Sequence, residues 1–220
     1  MITRSYSREV LAEIPNNKRQ KKWDTLYSGD LNRLPWIHNP YPKDLFKNFV
    51  TKLGASTTIL DYGCGNGRYY ETLNKYGGEV TCVDISAKAL NLCKTKHPKA
   101  ITVCSDNPSV LADSYFVGVF CWGVLHHINP DDRFMFWQEM YRIVPKGGFI
   151  LLGGWSKEDC EHKNMDRISS ITSEPTWNID IDTIELSGEA GLSIIEKDTY
   201  VFKEFFTNKI REFSFYLLQK

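Results

Sequence analysis

The chain carries no net charge: its 27 lysines and arginines are matched by 27 aspartates and glutamates over 220 residues. Without a surplus of one sign there is no global field to gather nucleic acid or anionic lipid. The single basic run, Lys18-Arg19-Gln20-Lys21-Lys22, is followed by no second basic or aromatic stretch and reads as a solvated helix face. The 6 cysteines include no C-x-x-C pair. Cys82, Cys104 and Cys121 instead sit inside apolar runs, as small hydrophobes do in a reducing compartment. Cys160-Glu161-His162 lacks a second pair of ligands, so no metal is expected. No run approaches the roughly 18 apolar residues of a membrane span, and Met1-Ile2-Thr3-Arg4-Ser5 has no apolar signal core. There is no low-complexity tract and no repeat with a period of roughly 20–50 residues. The expectation is a soluble, cytoplasmic protein, monomer or homodimer, with one main domain.

What is present centres on Ile59-Leu60-Asp61-Tyr62-Gly63-Cys64-Gly65-Asn66-Gly67-Arg68. A buried-strand run leads into G-x-G-x-G, where missing Cβ atoms let the backbone turn sharply and lie against a ligand. Asn66 is a good N-cap for the helical pattern that follows. The fingerprint for dinucleotides is G-x-G-x-x-G, and its third place here is Arg68. Asp61 beside the turn would repel a pyrophosphate and attract a ligand bearing an ammonium and a sulfonium. That combination selects S-adenosyl-L-methionine over NAD. A second strand, Val80-Thr81-Cys82-Val83, ends in Asp84, about 20 residues past the first glycine, where a carboxylate accepts both ribose hydroxyls.

Four stretches together resemble the Rossmann-like S-adenosylmethionine-dependent methyltransferases. They are D-x-G-x-G-x-G from Asp61, the strand ending in Asp84, Val124-Leu125-His126-His127-Ile128, and Pro145-Lys146-Gly147-Gly148. The resemblance covers roughly residues 55–155. It implies an α/β, doubly wound, seven-stranded, mostly parallel Rossmann-like sheet with helices on both faces and an antiparallel C-terminal strand. It also implies a cofactor site of Asp61, Gly63, Cys64, Gly65, Gly67, Asp84, Ile85 and Trp122, with Asp106 or Asn107 reaching the adenine amino group. For Ser105-Asp106-Asn107-Pro108 a simple Asx turn competes with that role.

Trp23-Asp24 through Tyr27 reads as a helix stopped at Ser28-Gly29, and Pro35, Pro40 and Pro42 make 30–42 extended and irregular. Residues 1–45 thus form an arm or lid before the 46–220 domain, supplying Trp36 and Tyr41 as pocket candidates. W-D-x-x-Y-x-x-G followed by P-W is similar to the entry segment of thiopurine and tellurite-resistance type methyltransferases, which implies that Trp36 closes the site. Tyr115 to Trp122 reads as a fourth strand, and Phe134, Trp137, Tyr141 and Val144 as the core stripe of the next helix. Residues 155–179 show no clean period and hold Trp155 and Trp177, which suits a substrate-side insertion. Asp182 and Glu185 start a short helix closed by Gly191, and Leu192–Tyr200 and Ile210–Leu218 are closing strands.

His126 and His127 fall where ligands sit in open α/β sheets, so each is either structural or the base for an acceptor that must lose a proton. The place after strand four reads Trp122-Gly123-Val124-Leu125, not the Asn/Asp-Pro-Pro-aromatic tetrad of nucleic-acid amino methylators. Cys121 lies between Phe120 and Trp122, not after a proline as in cytosine-carbon enzymes. Both departures, with zero net charge, favour a small-molecule acceptor (O, N or S) over nucleic acid. The competing classes are a non-catalytic S-adenosylmethionine-binding or regulatory subunit of a methyltransferase, and a NAD-dependent oxidoreductase.

Overall fold

The computed structural model describes residues 18–54, 57–162, 167–169, 171–180 and 182–220. Expectations for residues 1–17 lie outside the described residues. Seven strands form one sheet: β1 (Thr57–Tyr62), β2 (Gly78–Asp84), β3 (Ile101–Cys104), β4 (Gly118–Trp122), β5 (Phe149–Trp155), β8 (Ser193–Lys203) and β9 (Ile210–Gln219). Their order is β3-β2-β1-β4-β5-β9-β8, with β9 antiparallel to both of its neighbours and the first five strands parallel. The remaining pair, β6 (Arg167–Ile168) and β7 (Pro175–Thr176), is a separate two-stranded hairpin inside the 155–179 stretch.

Strand alternation sorts the core onto two faces. Leu60, Val119, Cys121, Ile150 and Leu152 pack with Trp137, Met140 and Ile143 of α6 (Pro130–Ile143). Ile59, Cys82, Phe120 and Leu151 pack with α3 (Lys43–Leu53), α4 (Tyr70–Gly77) and α5 (Ala87–Lys96). Chain order reverses at β1, which pairs with β2 on one side and β4 on the other. The carboxyl ends of these strands therefore open onto a crevice, the usual ligand place in such sheets.

Several boundaries differ from the sequence expectations for physical reasons. The fourth strand starts at Gly118, because the amides of Tyr115 and Phe116 donate to the Ile143 carbonyl at the end of α6. Strand five runs on to Trp155, since pairing with β9 continues as far as Phe213. Helix α4 begins at Tyr70 after a run of turns, so Asn66 is not its cap. The segment 30–42 is less extended than its prolines suggest: a 3-10 turn (Leu31–Arg33) leads into α2 (Pro35–His38), with Pro35 in the first turn where its missing N–H costs nothing.

Of the expected stripe, Trp137 and Val144 are buried, but Phe136, Met140 and Ile143 take the core places expected of Phe134 and Tyr141. The buried side of α6 is Arg133, Phe136, Trp137, Met140 and Ile143, while Tyr141 is exposed. A charged residue occupying the core-facing first turn misled the pattern of apolar letters. Arg133 is fully buried, donating from Nε to Ile128 O and from Nη1 to Asn178 O and, at 2.8 Å, to Asp182. That engagement explains why Asp182, which precedes α7 (Thr183–Glu189), makes no side-chain cap there. Asp182→Ala should lower unfolding free energy by about 3 kcal/mol, because it strands a buried guanidinium. Urea midpoints at unchanged slope check this, and a change under about 0.5 kcal/mol would show the backbone carbonyls alone satisfy Arg133.

Candidate functional site

The glycine turn owes its shape to close approaches on three sides. Gly63, Gly65 and Gly67 have φ of 77°, 56° and 74°, a region disfavoured for other residues. A Cβ at Gly63 would stand 2.1 Å from Val124 Cγ2, one at Gly65 2.5 Å from the Tyr27 hydroxyl, and one at Gly67 2.6 Å from Cys93 Sγ. Asp84 locks the turn from β2: its Oδ2 accepts from Gly65 N and its Oδ1 from Ser86 N, each at 2.8 Å. Burial pushes the Asp84 carboxyl up, the two amide bonds pull it back, and the balance lies at about 6.

A cavity of about 640 Å³ opens above this turn, inside the range of small-ligand sites. Its near half is walled by Gly63, Cys64, Gly65, Asp84, Ile85 and Asp106. Helix α1 (Lys18–Ser28) and the segment after it form the roof. Asp24 accepts from the Ser86 hydroxyl and from Lys88 N, docking α1 on the start of α5. Trp36 donates to the Tyr27 hydroxyl at 3.2 Å, and Trp23 packs edge-on against both Trp36 and His127. Arg68, the residue that breaks the dinucleotide fingerprint, donates to the carbonyls of Trp36 and Asn39 and lies 4.9 Å from the Tyr41 ring centre. On the far side Arg19 and Lys22 reach Glu174 at 3.9 and 3.3 Å, so the roof is tied to the 155–179 stretch by partly exposed pairs.

His126 and His127 stand at the middle of the cavity with ring centres 4.3 Å apart. Neither Nδ1 has a hydrogen-bond partner among the described residues. Burial keeps both imidazoles neutral: His126 is held well below its ordinary value, and His127, with Arg19 adding to the effect, falls to about 3. Beyond them the far half is aromatic, with Trp155 packed on Phe213 and Phe202.

The far end also holds a buried ion network that the sequence reading missed. Arg211 lays its guanidinium 3.9 Å from the Trp155 ring centre and grips Asp159 with Nε and Nη2, each at 3.0 Å. Its Nη1 reaches Glu161 and Glu204 at 3.0 and 3.1 Å. His162 completes the cluster, with Nδ1 3.0 Å from Asp159 and Nε2 3.2 Å from the Thr176 hydroxyl. Burial alone would push Asp159 up, but its bonds to His162 and Arg211 outweigh that and hold it well below the usual carboxylate range. A charged residue at an inward position of β9 was the available signal. The Cys160-Glu161-His162 triplet was weighed only as a metal site, yet two of its members belong to this network.

The sequence-predicted residues separate into two groups. Gly63, Cys64, Gly65, Asp84, Ile85, Asp106, Trp122, His126, His127, Trp36 and Trp155 all line the cavity. Asp61 does not: it is 1% exposed, and its Oδ2 has no partner among the described residues. Gly67 also lies off the wall and serves the contact between turn and α5. Asn107 caps the 3-10 turn Pro108–Val110 through Ser109 N, which is the Asx role, while Ser105 takes a place on the wall. Tyr41 is spent between Phe46, Tyr69 and Arg68, and Trp177 lies off the wall, joined through its amide to His126 O.

Fold and site together are similar to those of the Rossmann-like S-adenosylmethionine-dependent methyltransferases. Residues 60–152 match the family model described as a methyltransferase domain. The chain is 31% identical over 111 residues to a tRNA (carboxymethyluridine(34)-5-O)-methyltransferase of Arabidopsis thaliana, covering 50% of this chain and 27% of that protein. It is likewise 31% identical over 110 residues to the 2-methyl-6-phytyl-1,4-hydroquinone methyltransferase of Synechocystis, covering 49% and 35%. The chain thus spans about a third or less of the length of these relatives. Among solved structures, the Burkholderia thailandensis 1,6-didemethyltoxoflavin-N1-methyltransferase, with its substrate and S-adenosylhomocysteine bound, superposes with a TM-score of 0.71 at 17% identity. That match covers 96% of this chain and 92% of the other. The residues present fit the cofactor: a turn without side chains, a carboxylate beside it, and a roof of aromatic rings suited to a sulfonium.

If the ionised Asp84 carboxylate takes the ribose, affinity for S-adenosylhomocysteine should fall as pH drops through about 6, the Asp84 value. At pH 5 binding should be about tenfold weaker than at pH 7.5. Asp84→Asn should be weaker throughout and flat across that range. Calorimetry at the two pH values checks both statements.

Proposed function

We propose that the chain transfers a methyl group from S-adenosylmethionine to a small acceptor bound in the far, aromatic half of the cavity. What supports this reading is one cavity lined both by the glycine turn and by the aromatic group around Trp155, together with His126 and His127. The cofactor supplies an already activated methyl group. The chain's own task is to line up the acceptor atom and to keep water out.

The neutral histidines refine the acceptor class. An imidazole held near pKa 3, as His127 is, accepts a hydrogen bond readily but holds a proton poorly. Such a group suits an acceptor that is itself acidic, such as a phenol, an acidic N–H or a thiol, and does not suit a simple alcohol. One relative is named for a 1,4-hydroquinone and the structural neighbour for N1 of 1,6-didemethyltoxoflavin. A second reading comes from the relative that acts on tRNA. Zero net charge and a cavity roofed by α1 weigh against a polynucleotide here.

The described part of the expected arm, Lys18–Asn39, acts with the 155–179 stretch as one cover over the cavity. Partly exposed ion pairs such as Arg19–Glu174 are worth under about 1 kcal/mol each, so the cover opens at low cost. Hydrogen exchange in both segments should slow on adding S-adenosylhomocysteine. Indifference in both would remove the cover from the mechanism.

The deciding experiment is a methyl-transfer screen with labelled cofactor over phenols, acidic heterocycles, thiols, alcohols and bulk tRNA. Turnover confined to acidic small molecules is expected, and turnover on tRNA alone would overturn the reading. With an acceptor in hand, His126→Asn and His127→Asn should cost about 10²–10⁴-fold in kcat with cofactor affinity retained. Neither histidine should leave a limb near pH 6.5 in kcat, since both stay neutral there.

A further inference from the structure

Beneath the glycine turn lies a group of thiols to which the proposed methyl transfer gives no chemical step. Cys64 of the turn, Cys82 of β2 and Cys93 of α5 bring their three sulfurs within 4.8 Å of one another. All three are buried. Gly67 presses the turn onto them so closely that an added Cβ would meet Cys93 Sγ at 2.6 Å. Asp61 pairs in register with Cys82 on the neighbouring strand, so the two side chains leave the sheet on the same face. The Asp61 Oδ2 has no hydrogen-bond partner among the described residues. Cys64 also lines the cavity, which opens a path from solvent to the cluster.

Three thiols from three elements can converge on one centre. Around an ion with bonds of about 2.3 Å to sulfur, three sulfurs in a plane stand about 4 Å apart, a spacing this group reaches with small shifts. Zinc takes four ligands, and the cluster offers three among the described residues. Charge narrows the choice further. Three thiolates beside a buried carboxyl are costly unless offset, and a monovalent or divalent ion leaves negative charge behind. A trivalent centre cancels all three.

We propose that Cys64, Cys82 and Cys93 form a tris-thiolate site for a trivalent, three-coordinate thiophilic centre, for which arsenous acid is the accessible probe. The reaction is a condensation without electron transfer. Three As–O bonds break, three As–S bonds form, and each thiol proton leaves with a hydroxide as water. Occupancy draws the Cys64 sulfur toward β2 and α5 and so restrains the turn between Gly63 and Gly65. The site therefore opposes cofactor binding, a consequence that rests on this turn being the S-adenosylmethionine site.

The test titrates the full-length reduced chain with arsenous acid, reading stoichiometry by native mass spectrometry and the arsenic shell by X-ray absorption. One arsenic per chain with three sulfur neighbours is expected. Cys82→Ser and Cys93→Ala should each weaken binding about 10²-fold by removing one arm of a three-armed grip. Cys93→Ala, which only relieves crowding at Gly67, serves if Cys82→Ser does not fold. Cys160→Ser, at the exposed thiol, should change nothing. Two sulfur neighbours, or affinity unchanged in Cys93→Ala, would overturn the site. Arsenic-loaded chain should bind S-adenosylhomocysteine at least about tenfold more weakly. Unchanged affinity would overturn the coupling and leave the site standing, whereas no binding even to arsenic-free chain would instead overturn the cofactor reading.

Discussion

Two backbone amides meeting one buried carboxylate organise this molecule. Asp84 accepts from Gly65 in the glycine turn and from Ser86 at the start of α5, so one side chain fixes the floor of the cavity and the helix beside it. The helix start is then free to take Asp24 through the Ser86 hydroxyl, and that contact brings α1 over the floor as a roof. Turn, helix and roof form a chain of dependence that begins at the end of β2. The carboxylate is held near pKa 6 by the opposition of burial and hydrogen bonding, which leaves it ionised at neutral pH at a modest cost.

The cofactor half of the cavity was legible because its chemistry is local. A glycine turn, a strand ending in an acid and continuous apolar strands each announce themselves within about ten residues. The errors have equally particular causes. Arg133 takes a core position on α6, and the apolar letters misplace half of the buried stripe: Trp137 and Val144 are core, Phe134 and Tyr141 are not. Asn107 was a candidate for the adenine and instead takes the competing local Asx role, accepting from Ser109 N, whereas Asp182, read as a local helix start, is engaged by Arg133 of another element. Tyr41 and Trp177 are aromatics in the right segments but turned away from the cavity. Arg211 gave a signal as a charge at an inward position of β9, but its partners could not be read, since Asp159 comes from a far segment of the chain and meets Arg211 and Glu204 only in the fold.

The two halves of the cavity differ in how they are built. The matched stretch, residues 60–152, carries the floor and both histidines. The far wall comes from Trp155, the 155–179 stretch and the β8–β9 hairpin, all beyond it. The family match therefore speaks to the floor of the cavity, and on the proposed function the acceptor would be chosen by residues beyond 60–152. Arg211, clamped on Asp159 and stacked on Trp155, makes this wall rigid, so selection there works through shape as well as charge.

Helix α1 is bonded to both halves at once, through Asp24 on the donor side and through Arg19 and Lys22 on the acceptor side. On the proposed function, donor and acceptor compartments would share a single gate. A lifting of α1 that admitted one ligand would expose the other, so spent cofactor and methylated product would leave through one opening event and not through two independent ones. The slow step of such a cycle would then belong to the gate. The residence times of two chemically unrelated molecules would become tied to the same few contacts along one helix.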